Sequence, residues 1–172
     1  IAAVSDAVNE PRERWGDADS KTRQFMRSYT RDVVSRYSNS PAIWGWEFSC
    51  ELSLPVDLPN PPSNADRRVG ERAMPFATFK SAALDFAQVV RGIDSKRILV
   101  TGNSLPRPSA YNNATEVGGM RPDTEQQFAT ILLRDNPGPY SPICIHTSPA
   151  SVTRYFADRK VSYEELLQTC VS

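Results

Sequence analysis

Ser40-Pro-Ala-Ile-Trp-Gly-Trp-Glu-Phe-Ser-Cys-Glu51 is the stretch that decides the fold of this 172-residue chain. Pro41 disfavours helical backbone at Ser40, so the helical pattern before it stops there and an extended segment begins. The apolar and aromatic run from Ile43 to Phe48 predicts a buried strand, and Glu51 follows at its C-terminal tip. In barrels built of alternating strands and helices, reacting groups come from the C-terminal ends of the strands, which makes Glu51 the first candidate acid.

Upstream, Ser20 to Ser38 reads as a helix: Phe25, Tyr29, Val33 and Tyr37 recur every fourth residue, and Met26 and Val34 widen the stripe. Downstream, Leu52 to Pro75 is a Pro- and Asn-rich loop. Phe76 to Arg91 predicts a second helix with Phe79, Ala83, Phe86, Ala87 and Val90 inward. Arg97 to Thr101 is a short strand closed by the turn Gly102-Asn-Ser104, and a second long loop runs from Leu105 to Pro122. Asp123, with Gln126 at capping-box spacing, starts a helix ending near Arg134. Ile143 to His146 is the third strand, and Ser162-Tyr-Glu-Glu165 opens the last helix with another capping box. Strands alternating with helices predict an α/β fold with parallel strands. This pattern alone does not separate a barrel from an open doubly wound sheet, nor from a stand-alone α/β domain.

A single domain of this length holds a substantial core, but a complete (β/α)8 barrel takes about 250 residues. Twenty basic residues balance 20 acidic ones, which argues against nucleic-acid or anionic-membrane partners. No apolar run approaches the roughly 20 residues of a membrane span. Ile1 in place of Met, with no signal-like region, fits either a processed start or a piece of a longer protein, and we expect the second. Three scattered cysteines, Cys50, Cys144 and Cys170, match neither zinc spacing nor a disulfide framework. With no phosphate loop either, no metal or cofactor is expected. Fourteen prolines against eight glycines fit long, stiff loops on a regular scaffold.

Arg36-Tyr37, Pro41-Ala-Ile43 and Gly45-Trp-Glu47, leading to Cys50-Glu51, resemble the fourth-strand motif of clan A retaining glycoside hydrolases. The likeness is to the cellulase- and mannanase-like enzymes of family 5. It extends through Trp15-Gly-Asp-Ala-Asp-Ser20, Asp57-Leu-Pro59, Val90-Arg-Gly-Ile-Asp94, Thr101-Gly-Asn-Ser-Leu-Pro-Arg107 and Asn136-Pro-Gly-Pro139. The resemblance implies a partial TIM barrel with long βα loops, residues 1–172 forming one domain from after strand three through helix six. It also implies retaining hydrolysis of a β-linked polysaccharide, β-glucan or β-mannan, in a secreted or periplasmic setting. Glu51 takes the place of the general acid/base, which protonates the leaving oxygen and then activates water. The family's nucleophile lies on a seventh strand with no match in this sequence, so the missing barrel segments or another chain are expected partners beside the sugar. Glu164 and Glu165 read instead as cap and helix-dipole partners.

Two positions depart from the family. Cys50 stands where an Asn binds the sugar's 2-hydroxyl, and a thiol is a weak donor and acceptor. His146, the one histidine, resembles the family's sixth-strand His, which positions nucleophile and substrate, but Ser148 replaces the Tyr that usually follows it. Both departures favour an alternative, a non-catalytic carbohydrate-binding or scaffolding remnant. Two further readings stay open: a Cys50 nucleophile with His146 as base, and a purely structural His146. By strand alternation Glu47, Ser49 and Glu51 share the inner face, while Trp44, Trp46 and Phe48 pack outward on helices. An inward Glu47 calls for a paired donor such as arginine. Tyr111 is the preferred sugar-stacking platform among the aromatics, which include Trp15 and Tyr140. Asn103 is expected to line the cleft, Arg107 to brace the loop and Cys144 to fill core.

Overall fold

A computed structural model of the chain describes residues 2–58, 74–115, 121–147, 154–157 and 159–171. After α1 (Ala2–Ala7) and a 3-10 turn at Arg12–Gly16, Ser20 accepts a hydrogen bond from the Arg23 N–H and starts α2 (Lys21–Tyr37). The strand expected within the opening stretch forms as β1 (Gly45–Glu47). There follow α3 (Phe76–Arg91), β2 (Ile98–Val100), β3 (Asn103–Ser104), α4 (Ala110–Thr115), α5 (Glu125–Asp135) and β4 (Ile145–His146). The chain ends in a hairpin, β5 (Arg154–Phe156) and β6 (Arg159–Val161), and α6 (Tyr163–Val171).

β1 pairs in parallel with β2, Trp46 opposite Leu99. β3 pairs in parallel with β4, Ser104 opposite His146. Only Thr101 and Gly102 separate β2 from β3, and the ladder continues past them. The N–H groups of Phe48, Ser49 and Glu51 donate to the carbonyls of Val100, Thr101 and Gly102. Three parallel segments therefore lie side by side in chain order. The fold is mixed α/β with parallel strands in small sheets, and the described strands close no barrel. The antiparallel β5–β6 hairpin was not expected from the sequence. No helix among the described residues is long and apolar enough to cross a membrane.

Trp46 and Leu99 send their side chains between the helices, where Val34 of α2, Ala83, Ala87 and Val90 of α3, and Tyr140 complete a core. Phe48 extends that core toward a second cluster of Trp15, Val56, Met74 and Phe79, its ring 6.0 Å from Phe79 and 5.5 Å from Phe86. A third cluster joins Phe128 and Leu132 of α5 to Phe156, Val161 and Leu166. Asp94 fixes the approach of β1 to β2. It accepts from the Trp46 indole N–H at 2.9 Å and from the Arg97 guanidinium at 2.7 Å. Burial opposes its charge, but these hydrogen bonds hold the carboxyl well below the usual carboxylate range.

Five expectations need correction. Phe25 and Tyr29 of the predicted α2 stripe are 43% and 62% exposed, and the buried residues are Thr22, Arg23 and Val34. Polar anchors set the helix's rotation: Thr22 donates to Glu10 at 2.7 Å, and Arg23 reaches Asp85 on α3 at 2.6 Å. Trp44, expected in the core, is 78% exposed because it lies beyond the end of α3, in a hollow shared with Ile93 and Lys96. Thr124, not Asp123, caps α5, with Gln127 as its capping-box partner. Asp123 is instead fully buried and accepts from the backbone N–H groups of Tyr111 and Asn112 at 2.8 and 3.1 Å. The corrections that concern Asn103 and Cys144 are given with the site. The Ser162–Glu165 capping box forms as expected, with Glu165 N–H donating to Ser162 Oγ and Ser162 N–H to Glu165 Oε2.

Candidate functional site

At the tip of β1 the backbone turns sharply. Glu51 has φ +58°, a left-handed conformation that costs a side-chain-bearing residue roughly 1–2 kcal/mol. The ladder enforces it: the Glu51 N–H donates to the Gly102 carbonyl at 2.7 Å, while the Glu51 carbonyl accepts from Leu54. Arg107 holds the loop beyond, donating to the carbonyls of Leu54 and Val56, the bracing role expected of it.

The Glu51 carboxylate lies 3.7 Å from Nδ1 of His146, at the tip of β4. The other ring nitrogen, Nε2, lies 3.8 Å from Glu47. Both separations exceed hydrogen-bond length, so these are ion-pair contacts when the imidazole carries a proton. The sequence called for a donor such as arginine beside Glu47, and the group that stands there is His146. Glu47 also meets no dry interior, since its side chain is 45% exposed on the open inner face of the sheet.

Gly102 makes the row possible. Its φ is +70°, and a Cβ there would sit 1.8 Å from the Ser49 carbonyl oxygen and 2.7 Å from Glu47 Cγ. With hydrogen in that place, Glu47 lies across the neighbouring strand. Burial pushes the Cys144 thiol up and the Glu47 charge adds to the effect, while the backbone N–H of Gly102 opposes it. Cys144 is therefore not a simple core residue. Its sulfur, a Glu47 oxygen and a His146 nitrogen all lie within 4.8 Å of one another. Sequence reasoning assigned Cys144 no chemistry, although Cys144-x-His146 has the spacing that puts two side chains on one strand face.

The remaining candidates are dispersed. Asn103 does not line the cleft. It is opposite Ile145 in the register, so it faces the helices, and its amide donates to the Asp135 carbonyl at 2.7 Å. Its Oδ1 has no hydrogen-bond partner among the described residues. Cys50 is an exposed free thiol, and no described contact joins it to His146. Tyr111 is half-buried in α4, its backbone tied to Asp123, and no described contact reaches the His146 row. Ser148 lies outside the described residues.

Behind Asn103, burial pushes Asp135 up to about 6 from an ordinary 3.8, outweighing its pairing with Arg134. The folded state thus holds this proton more tightly than the unfolded chain. The resulting stabilisation is complete below an ordinary carboxylate pKa and is lost as pH rises through about 6. A shift of about two units corresponds to roughly 3 kcal/mol. Asp135→Asn is expected to raise the urea midpoint near neutral pH and to flatten its pH dependence on the acid side. An unchanged slope in that range would assign the proton elsewhere.

No protein-family profile matches the chain, and no curated protein matches its sequence.

Proposed function

We propose that the chain is the part of a (β/α)8 barrel from before its fourth strand through its sixth helix, and that its site acts on β-linked polysaccharide. In this reading Glu51 is the acid/base of a retaining glycoside hydrolase. One observation carries it: Glu51, left-handed at the tip of one parallel strand, faces His146 at the tip of another across 3.7 Å. Two further features support it. The parallel segments are neighbours in chain order, as in a barrel. The Phe25 and Tyr29 rings, stacked 6.3 Å apart on the exposed side of α2, suit burial against a further helix.

Retention also needs a second carboxylate about 5–5.5 Å from the first. Glu47 meets the opposite nitrogen of His146, so the imidazole stands between the two acids. Together with the exposed Cys50, this favours sugar binding over turnover in the chain as it stands, with hydrolysis belonging to a completed barrel.

The test is binding and hydrolysis of cello- and manno-oligosaccharides by the chain and by Glu51→Gln. Saturable binding is expected. Any turnover is expected to fall by roughly 10²–10⁴ in the variant, the usual contribution of a general acid/base. A chain that neither binds nor cleaves these sugars would sink the reading.

A further inference from the structure

We propose that Glu47, Cys144 and His146 form a binding site for a divalent transition metal ion, with Zn²⁺ the ion it suits best. The proposal rests on geometry and ligand chemistry and does not depend on the carbohydrate reading. One ligand atom from each residue lies within 4.8 Å of the other two. A tetrahedral zinc ion with bonds of about 2.0–2.3 Å holds its ligand atoms roughly 3.3–3.8 Å apart. Glu47 Oε2 and His146 Nε2, 3.8 Å apart, are close to that span before any rotamer adjusts.

The donor set selects the ion. A thiolate and an imidazole favour zinc and its neighbours over Mg²⁺ and Ca²⁺, which seek all-oxygen cages. One thiolate and one carboxylate also neutralise the 2+ charge. Three protein ligands leave a fourth position for water, the pattern of reactive rather than purely structural zinc sites.

The surroundings supply an outer partner. A metal at Nε2 leaves the His146 Nδ1–H facing Glu51, 3.7 Å away, and a small rotamer shift that closes this gap would complete a carboxylate–histidine–metal arrangement, which fixes tautomer and ring orientation. Backbone ladders hold Glu47 on β1 and His146 on β4, Cys144 immediately precedes β4, and Glu47 reaches the other two across a glycine.

Titrating the reduced, full chain with Zn²⁺ and with Co²⁺ tests this. One equivalent is expected to bind, and the Co²⁺ form is expected to show sulfur-to-cobalt charge-transfer absorption. Cys144→Ser is expected to remove that absorption, and Cys50→Ser to leave it intact. Glu51→Gln is expected to weaken affinity by roughly 10–100-fold, as loss of an outer partner does, and Glu47→Gln by more. If Cys144→Ser does not fold, Glu47→Gln and His146→Gln decide the matter, since both positions are partly exposed. A Co²⁺ spectrum without the sulfur band, a band abolished by Cys50→Ser, or affinity unchanged by Glu47→Gln and His146→Gln would each overturn the site. Oligosaccharide turnover plays no part in the readout, so its absence leaves this result standing.

Discussion

Gly102→Ala is expected to destabilise the chain by on the order of 4 kcal/mol, a large fraction of a typical domain's stability. Two effects add. At φ +70° an L-residue costs roughly 1–2 kcal/mol where glycine costs almost nothing. The new methyl would also sit 1.8 Å from the Ser49 carbonyl oxygen, a backbone atom that cannot rotate aside. Relief requires β1 and the 98–104 segment to separate, and overpacking of this kind costs a further 1–3 kcal/mol or so. The same shift displaces Glu47, whose Cγ is 2.7 Å from the added carbon, and loosens the Gly102 carbonyl that orders Glu51. Loss of Zn²⁺ binding is therefore expected along with loss of stability. Gly92→Ala is the control. Gly92 has φ −68°, and its added Cβ meets only ordinary contacts from 3.4 Å, so a change of a few tenths to about 1 kcal/mol toward greater stability is expected. Equal urea midpoints for the two variants would refute the steric account.

The sequence made the parallel strands and α3 legible because their signals are local: a β-branched or aromatic run, a proline break, a repeating apolar face. The Glu51–His146 pairing was legible only as far as placing both residues at strand tips. That the imidazole lies between two carboxylates depends on Gly102, next to both acids in space but 51 residues from Glu51 and 55 from Glu47 in sequence. The misread face of α2 has a different cause. Phe25 and Tyr29 mark an apolar stripe, yet Arg23 is the side chain that goes inside, and pattern reading assigns arginine to the surface by default. Only knowledge of Asp85, 62 residues away, shows that burial is satisfied. Asn103 failed similarly. A polar residue after a strand looks like a cleft ligand, but register with Ile145 turns it toward α5. In each case the missing information was a long-range partner.

Arg23 yields the second large prediction. Its side chain is 1% exposed, and its charge is compensated by Asp85, whose Oδ2 accepts from Nε at 3.1 Å and Nη2 at 2.6 Å. Ser81 and the Trp15 carbonyl accept from two more of its N–H groups. Arg27 adds a second cation to the same oxygen at 2.5 Å. Asp85→Ala therefore leaves two guanidinium groups facing each other, one of them buried, with no carboxylate between them. Breaking a buried pair this way costs about 3–5 kcal/mol, and partial exposure of Asp85 at 26% places the expectation near the lower end. Arg23→Met removes the buried charge but keeps the packing of the stem, so in that background Asp85 serves only the more exposed Arg27. There Asp85→Ala is expected to cost no more than about 1 kcal/mol, as for surface pairs. Urea unfolding of the four proteins of this cycle measures the coupling, expected at about 2 kcal/mol or above. If Asp85→Ala costs the same in both backgrounds, α2 is held to α3 by apolar contact and not by the charge that sequence patterns placed outside.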